Sequence, residues 1–220
     1  MKDCNHDIKS IINFFNISER LKFEPRRIWC SNGMQETVAS HTWNLALLLI
    51  TVAPYLELDF NILEALKLAV VHDLPEAITG DIPFSEIVKN QNLEKIKKLE
   101  EIKAIQEITS VLPYNLEEDF CNLWLTYEKK TSIEALIVYS LDKIEAQMQQ
   151  LKSDVNKWGS EEIILAAWQR MLKASSFNPF LMQLSKYIIH ESMEKLKQSD
   201  CSFHECLNFQ LDDLFSLDLV

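Results

Sequence analysis

The sequence predicts an all-α protein, and three observations carry that expectation. Only three glycines, Gly33, Gly80 and Gly159, occur in 220 residues, too few for a sheet built on tight turns. Long stretches are rich in Leu, Ile, Glu and Lys, which lose little side-chain freedom in a helix. Apolar residues recur at spacings of three and four rather than alternating. With 47% hydrophobic residues the chain can bury one sizeable core, and residues 1–220 read as a single domain.

Taken in order, Ile8, Ile11, Ile12, Phe14 and Phe15 define a first amphipathic helix over Asp7 to Phe15, ending near Asn16. The segment SERLKFEPRRIWCSNGMQETVASH follows. It holds Pro25 and Gly33 and shows no sustained period, which predicts a loop draped across the body. Arg26, Arg27 and Trp29 concentrate anion-binding and stacking groups in it. Around Glu36 to His41 a helix begins, with Thr37 and Ser40 able to cap it. Its apolar face continues through Leu45, Leu48 and Leu49, so His41 points inward. Trp43 to Leu56 is the longest apolar run. It is shorter than the ~20 residues a bilayer requires and contains Asn44 and Pro54, so it predicts a buried helix rather than a membrane span.

Asp59 is the expected cap of a third helix, Phe60 to His72. Phe84 to Leu112 reads as one charged amphipathic helix, and its NLEKIKKLEEIKAIQE run is taken as a solvated face with no functional role. Leu116 to Tyr127 forms another helix. Thr131 or Ser132 then caps a long one through about Lys152. There Ile133, Leu136, Ile137, Leu141, Ile144 and Met148 make one stripe, and Ala135, Val138, Asp142 and Ala146 a second. A helix apolar on two faces belongs between neighbours. Trp158 to Lys173 and Asn178 to Gln198 complete the helices, and the acidic, apolar tail Cys201 to Val220 is expected to pack on the body or on a second subunit.

Composition excludes several functions. A net charge of -11 disfavours a nucleic-acid polymer as partner, since that needs clustered Lys and Arg to displace counterions. No Gly-rich phosphate loop is present, so any phosphate must be held by a metal or by arginines. Five cysteines without a CxxC pair read as reduced thiols in a cytoplasmic protein. Cys201, His204 and Cys206 lack a fourth partner and are not taken as a metal cluster.

The chemistry concentrates in VVHDLPEAITGDIP, Val70 to Pro83. His72 and Asp73 can both coordinate one divalent ion, Glu76 follows one helical turn on, and Asp81 comes after Gly80, where the chain turns freely. Asp142, in a small-residue stripe, would cost several kcal/mol unless paired or bound to metal. Its neighbour Lys143 projects some 100° away around the helix and is a poor partner. His41 alone reads as an ordinary core histidine. Together with His72, Asp73 and Asp142, however, it makes a set of two imidazoles and two carboxylates suited to a divalent ion with open positions.

The segments ETVASHTWNLA, VVHDLPEAITGDIP and YSLDKIEAQMQ resemble the HD-domain metal-dependent phosphohydrolases. They are most similar to the 5′-deoxynucleotidase branch, with its HDxxE…GD form and Arg/Trp loop before the first His. The resemblance spans Arg26 to Gln150. It implies an HD-type helical bundle with a buried site, and metal ligands His41, His72, Asp73 and Asp142. Glu76 would act on the attacking water, and Asp81 would be a second carboxylate near the phosphate. Arg26, or Arg27 in its place, would hold the phosphate and Trp29 the sugar or base. The implied reaction removes the 5′-phosphate from (deoxy)nucleoside monophosphates with one divalent ion, Co, Mn, Fe, Ni, Zn or Mg, in a homodimer. Two alternatives stand beside it. One is another HD-type hydrolase of a triphosphate, cyclic nucleotide or alarmone, which asks for more Lys and Arg around the pocket. The other is a non-catalytic nucleotide-binding regulator, against which the intact Glu76 and Asp81 weigh.

Overall fold

The computed structural model describes residues 4–199, and the tail from Cys201 onward, with its Cys201, His204 and Cys206, lies outside the described residues. Helix α1 (Cys4–Ser18) leads through a 3-10 turn (Glu19–Lys22) into a two-stranded antiparallel hairpin, β1 (Pro25–Trp29) and β2 (Gln35–Thr37). The helices α2 (Val38–Val52), α3 (Ile62–Val71), α4 (Glu76–Thr79), α5 (Phe84–Lys89) and α6 (Asn92–Thr109) follow. Then come α7 (Tyr114–Lys129), α8 (Ile133–Lys152), α9 (Glu161–Ser175) and α10 (Pro179–Lys197).

Residues 18–41, expected as a loop, contain that hairpin. Pro25 pairs with Thr37 and Trp29 with Gln35, and the shift in register between them marks a bulge in β1. The turn closes at Gly33, whose φ of 84° favours a residue without a side chain. Neither strand carries long alternation, so sequence period does not reveal it. The hairpin exists because it packs on α8, where Gln149 Nε2 donates to the Trp29 carbonyl (3.0 Å). The chain remains helical in class.

Local capping sets the helix starts. Thr37 and Ser40 form a reciprocal capping box at α2, as their positions suggested. For α3 the cap is Asn61, not Asp59. The Asn61 side chain accepts from the backbone N–H groups of Leu63 and Glu64, and the helix ends at Val71 with His72 as its C-cap. Ser132 caps α8 through the N–H of Ala135. The single helix expected over Phe84 to Leu112 is broken at Asn90. That residue leaves the helical region (φ -145°, ψ 93°) and its side chain accepts from the N–H of Asn92 (3.1 Å), an alternative that a short polar side chain offers the backbone.

As expected, α8 is central. It packs against α2, α3, α7, α9, α10 and β1. Its Ile137, Leu141 and Ile144 join Leu45 and Leu49 of α2, Leu68 of α3, Trp168 of α9 and Leu181 of α10 in the main core. A second cluster holds Phe14, Leu74, Ile105, Ile108 and Trp124 under α1, α4, α6 and α7. Each such aliphatic side chain contributes roughly 1.5–3 kcal/mol on burial. The run Trp43 to Leu56 departs from expectation in part. Val38, His41, Leu45, Leu49 and Val52 are buried, but Trp43 is 67% exposed, and Leu47 and Ile50 on the same outward face are exposed with it. The stripe that faces the core is therefore only half of an apolar helix.

Candidate functional site

Three helices and one turn bring the predicted ligands together. His41 comes from the first turn of α2, His72 from the end of α3, Asp73 from the turn after it and Asp142 from the middle of α8. His41 Nε2 lies 3.3 Å from Asp142 Oδ1 and 3.9 Å from Asp73 Oδ2, and His72 Nε2 lies 3.0 Å from Asp73 Oδ2. His41, His72 and Asp73 alone form a group that could hold a metal ion. His41 is fully buried, and His72 and Asp142 are nearly so.

The tautomers of both imidazoles follow from their partners. His72 Nδ1 faces the Ala69 carbonyl at 2.8 Å, and a carbonyl only accepts, so Nδ1 carries the proton and Nε2 offers a lone pair. His41 Nδ1 is bound in the same way by the Glu145 carboxylate. Both Nε2 atoms are buried without a hydrogen bond of acceptable geometry. The carboxylates approach them in distance but not in direction, as donor atoms do around a shared cation rather than around a proton. Burial and Arg26 oppose a charge on His41, yet Asp142 and Glu145 outweigh them and push its pKa up to about 9. The two carboxylates favour positive charge at this position, and the donor set of two imidazoles and two carboxylates fits a divalent metal.

Around this set lies a second ring of partners that the sequence did not announce. Glu145, three residues after Asp142 on α8, accepts from Asn44 Nδ2 as well as binding His41. The three-residue spacing from Asp142 to Glu145 is the signal in the sequence, since it places both carboxylates on one helix face. Arg26 Nη1 lies 3.3 Å from Glu36 Oε2 and 3.9 Å from Glu145 Oε2. Tyr127 Oη donates to Asp142 Oδ2 (2.7 Å). Lys143 also reaches Asp142 Oδ2, contrary to the expectation that it points away. The 100° offset fixes where a side chain leaves the helix, and a flexible lysine arm can bend back across it.

Glu76, at the start of α4, is buried beside the cluster. Lys97 Nζ donates to its Oε1 (2.9 Å) and lies 3.4 Å from Glu101 Oε1. Lys97 belongs to the charged run read as a purely solvated face, so that reading is corrected: one of its lysines is turned inward to the site. Nothing in KIKK distinguishes that lysine until α6 is packed against α4. Burial and the Asp73 charge push the Glu76 carboxyl well above its usual range against the pull of Lys97. Asp81 follows Gly80, whose φ of 74° disfavours a side chain and whose Cβ position would lie 2.9 Å from the movable end of Glu24, at Oε1. Its backbone N–H donates to the same Glu24 (3.3 Å).

A cavity of about 730 Å³ opens onto this arrangement. His72, Asp73, Glu76, Asp81 and Asp142 line it, as do all three residues expected to meet substrate, Arg26, Arg27 and Trp29. His41 stands behind the wall. Arg26 and Arg27 alternate along β1. Arg26 turns to the buried carboxylates, whereas Arg27 is exposed and pairs with Glu86 on α5 (3.3 Å). Lys157 Nζ sits 5.4 Å above the Trp29 ring.

Residues 18–176 match the HD domain family. The chain is 32% identical to 5′-deoxynucleotidase HDDC2 of Xenopus laevis over 68% of its own length and 72% of that protein. It is 29% identical to 5′-deoxynucleotidase hdd1 of Schizosaccharomyces pombe over 72% and 80% respectively. Among solved structures, the fold resembles a predicted metal-dependent phosphohydrolase from Magnetospirillum magnetotacticum, with a TM-score of 0.71 at 18% identity, covering 87% of this chain and 93% of that one. With the match spanning the hairpin and α2 to α9, the chain belongs to the HD domain family.

Proposed function

We propose that this protein is a metal-dependent phosphohydrolase that removes the 5′-phosphate from (deoxy)nucleoside monophosphates. One observation carries the reading: two imidazole Nε2 atoms and two aspartates converge at the floor of a nucleotide-sized cavity, with the proton-avid carboxyl of Glu76 beside them. The relatives named 5′-deoxynucleotidase supply the substrate class.

His41, His72, Asp73 and Asp142 would hold one divalent ion, Co, Mn, Fe, Ni, Zn or Mg. Such an ion supplies positive charge to the phosphoryl group and makes nearby water more acidic. Glu76 orients the attacking water and takes its proton, a role that the raised proton affinity of a buried carboxyl suits. Lys97 fixes the orientation of Glu76. Arg26, steadied by Glu36 and Glu145, offers charge to the phosphate, and Asp81 stands at the cavity wall near it. Trp29 presents a flat apolar surface to the sugar or base. The fold's contribution is alignment plus charge stabilisation, the main demands of phosphoryl transfer.

We further infer a homodimer. The outward apolar face of α2, with Trp43, Leu47 and Ile50 exposed, supports a covering partner, and a monomeric mass by light scattering would remove that inference. Unpaired Cys30 and Cys121 support work in a reducing, cytoplasmic compartment. Among the described residues, no helix is long and apolar enough to cross a membrane.

The decisive experiment assays phosphate release from the four 2′-deoxynucleoside 5′-monophosphates with each candidate metal. At least one pair should turn over, and Glu76→Gln should lower kcat by about 10²–10⁴ while metal content is retained. No release from any nucleotide with any metal would reject the reading.

A further inference from the structure

The cavity extends beyond the metal-type residues. Tyr139 precedes Asp142 by three residues on α8, about 4.5 Å along the axis, and three cations gather round its ring. Lys130 Nζ lies 4.2 Å and Lys143 Nζ 4.9 Å from the ring centroid, and Arg170 Nε approaches the Tyr139 hydroxyl at 3.5 Å. All four residues line the cavity with His72 and Asp142. They come from different elements: Lys130 from the left-handed C-cap of α7 (φ 53°), Tyr139 and Lys143 from α8, and Arg170 from α9.

What distinguishes these cations is that Asp142 is the carboxylate that Lys143 and Arg170 share. Elsewhere, lysines such as Lys67, Lys103 and Lys197 pair with a carboxylate one helical turn away. Among the described residues, no carboxylate lies within 4.0 Å of Arg170 or Lys130. Lys143 is shared with Asp142, which the proposed metal also claims. Arg170 is half-buried, stacks at 5.2 Å over the Phe84 ring, and donates one long hydrogen bond (3.5 Å) to the Tyr139 hydroxyl. Tyr139 and the more distant Asp142 favour the Arg170 charge against its burial, but no carboxylate touches the guanidinium, although this chain has 33 Asp and Glu. The wider cavity shows the same bias. Among the described residues, nine Lys and Arg line it against seven Asp and Glu, although acids outnumber bases in the chain. Burial would push the Tyr139 phenol up, yet Lys143 and Arg170 hold it below its ordinary range, a sign of concentrated positive charge.

We propose that Arg170, Lys130 and Lys143 form a second anion subsite that binds a second phosphoryl group of the nucleotide, carried as a 3′-phosphate or as a 5′-β-phosphate. The inference rests on the phosphohydrolase reading above and deepens it by naming a doubly phosphorylated substrate. The shortage of Lys and Arg that argues against larger substrates in the sequence disappears once the cavity is assembled. The reaction stays hydrolytic: water oxygen bonds to the 5′-phosphorus, the bond from phosphorus to O5′ breaks, and O5′ takes a proton. A 3′,5′-bisphosphate then gives the nucleoside 3′-phosphate and phosphate, and a 5′-diphosphate gives the nucleoside and pyrophosphate.

The test compares kcat/KM for one 2′-deoxynucleoside as its 5′-monophosphate, 3′,5′-bisphosphate and 5′-diphosphate, using the metal-loaded full chain. The wild type should prefer at least one doubly phosphorylated form over the monophosphate by about tenfold or more, the worth of one charge-assisted contact. Arg170→Ala should cut that ratio by about tenfold, with Arg170→Lys restoring part of it. Lys130→Ala, at an exposed position, should cut it about threefold and serves if Arg170→Ala does not fold. A wild-type ratio of one or below for both forms overturns the proposal, as does a loss equal across all three substrates. Equilibrium dialysis of the same nucleotides separates this from failure of the enzymatic reading. If nothing is hydrolysed, a preferential weakening of the doubly phosphorylated ligand in Arg170→Ala still supports the subsite, and equal or no weakening rejects it.

Discussion

The floor of the cavity and its rim solve different problems. At the floor, His41, His72, Asp142, Glu145 and Glu76 are nearly water-free, and each is held by at least one neighbour. At the rim, Arg27, Lys130 and Trp29 are half-buried or exposed, and Arg170 and Lys130 lack carboxylate partners. A floor that must hold a cation in fixed geometry gains from partners that orient each donor. A rim that must receive and release an anion keeps its charge available instead. Substitutions should therefore behave differently in the two regions.

The sharpest break is Asp142→Ala, which removes one proposed ligand and the partner of Tyr127 and Lys143. Elemental analysis should fall from about one metal per chain to near none, and full occupancy would sink the four-ligand set. Arg26→Ala comes next. It leaves Glu36 and Glu145 buried without their cation, so urea unfolding should show a loss of about 3–5 kcal/mol, and a loss under ~1 kcal/mol would place Arg26 with the rim. Glu145→Gln should weaken metal affinity about 10–100-fold in a chelator competition with the fold intact, because the amide supports the His41 ring less well than a carboxylate. An unchanged affinity would mean that Glu145 serves only the core. The smallest effect is expected at Arg27→Ala, whose exposed pair with Glu86 contributes under ~1 kcal/mol. Its metal content should not change, and any loss at the active site should appear in KM. A drop in metal content there would erase the distinction between floor and rim.

Much of the floor was legible because its signals are local. His72, Asp73, Glu76 and Asp81 lie within ten residues, and Asp142 declares itself as a carboxylate in a small-residue stripe of a two-faced helix. The positioning groups were harder to read. Lys97 is one lysine in a charged run, and Glu145 gains meaning only from a histidine 104 residues away. Arg170 carried no signal at all, since an arginine on an amphipathic helix is ordinary until the structure places it on the cavity wall without a carboxylate in contact.

By itself the sequence determined the helical class, the central place of α8 and the Thr37 cap, narrowed the α8 cap to Thr131 or Ser132, and singled out four residues that the structure brings together. Those features follow from periodicity and short-range hydrogen bonding, which are properties of neighbouring residues. The tertiary structure alone decided that residues 25–37 form a hairpin, that Asn90 breaks the charged helix, and which charges are neutralised and which face the cavity without a carboxylate in contact. Those outcomes depend on which elements pack together, because the cost of a buried charge is set by partners brought from elsewhere in the chain.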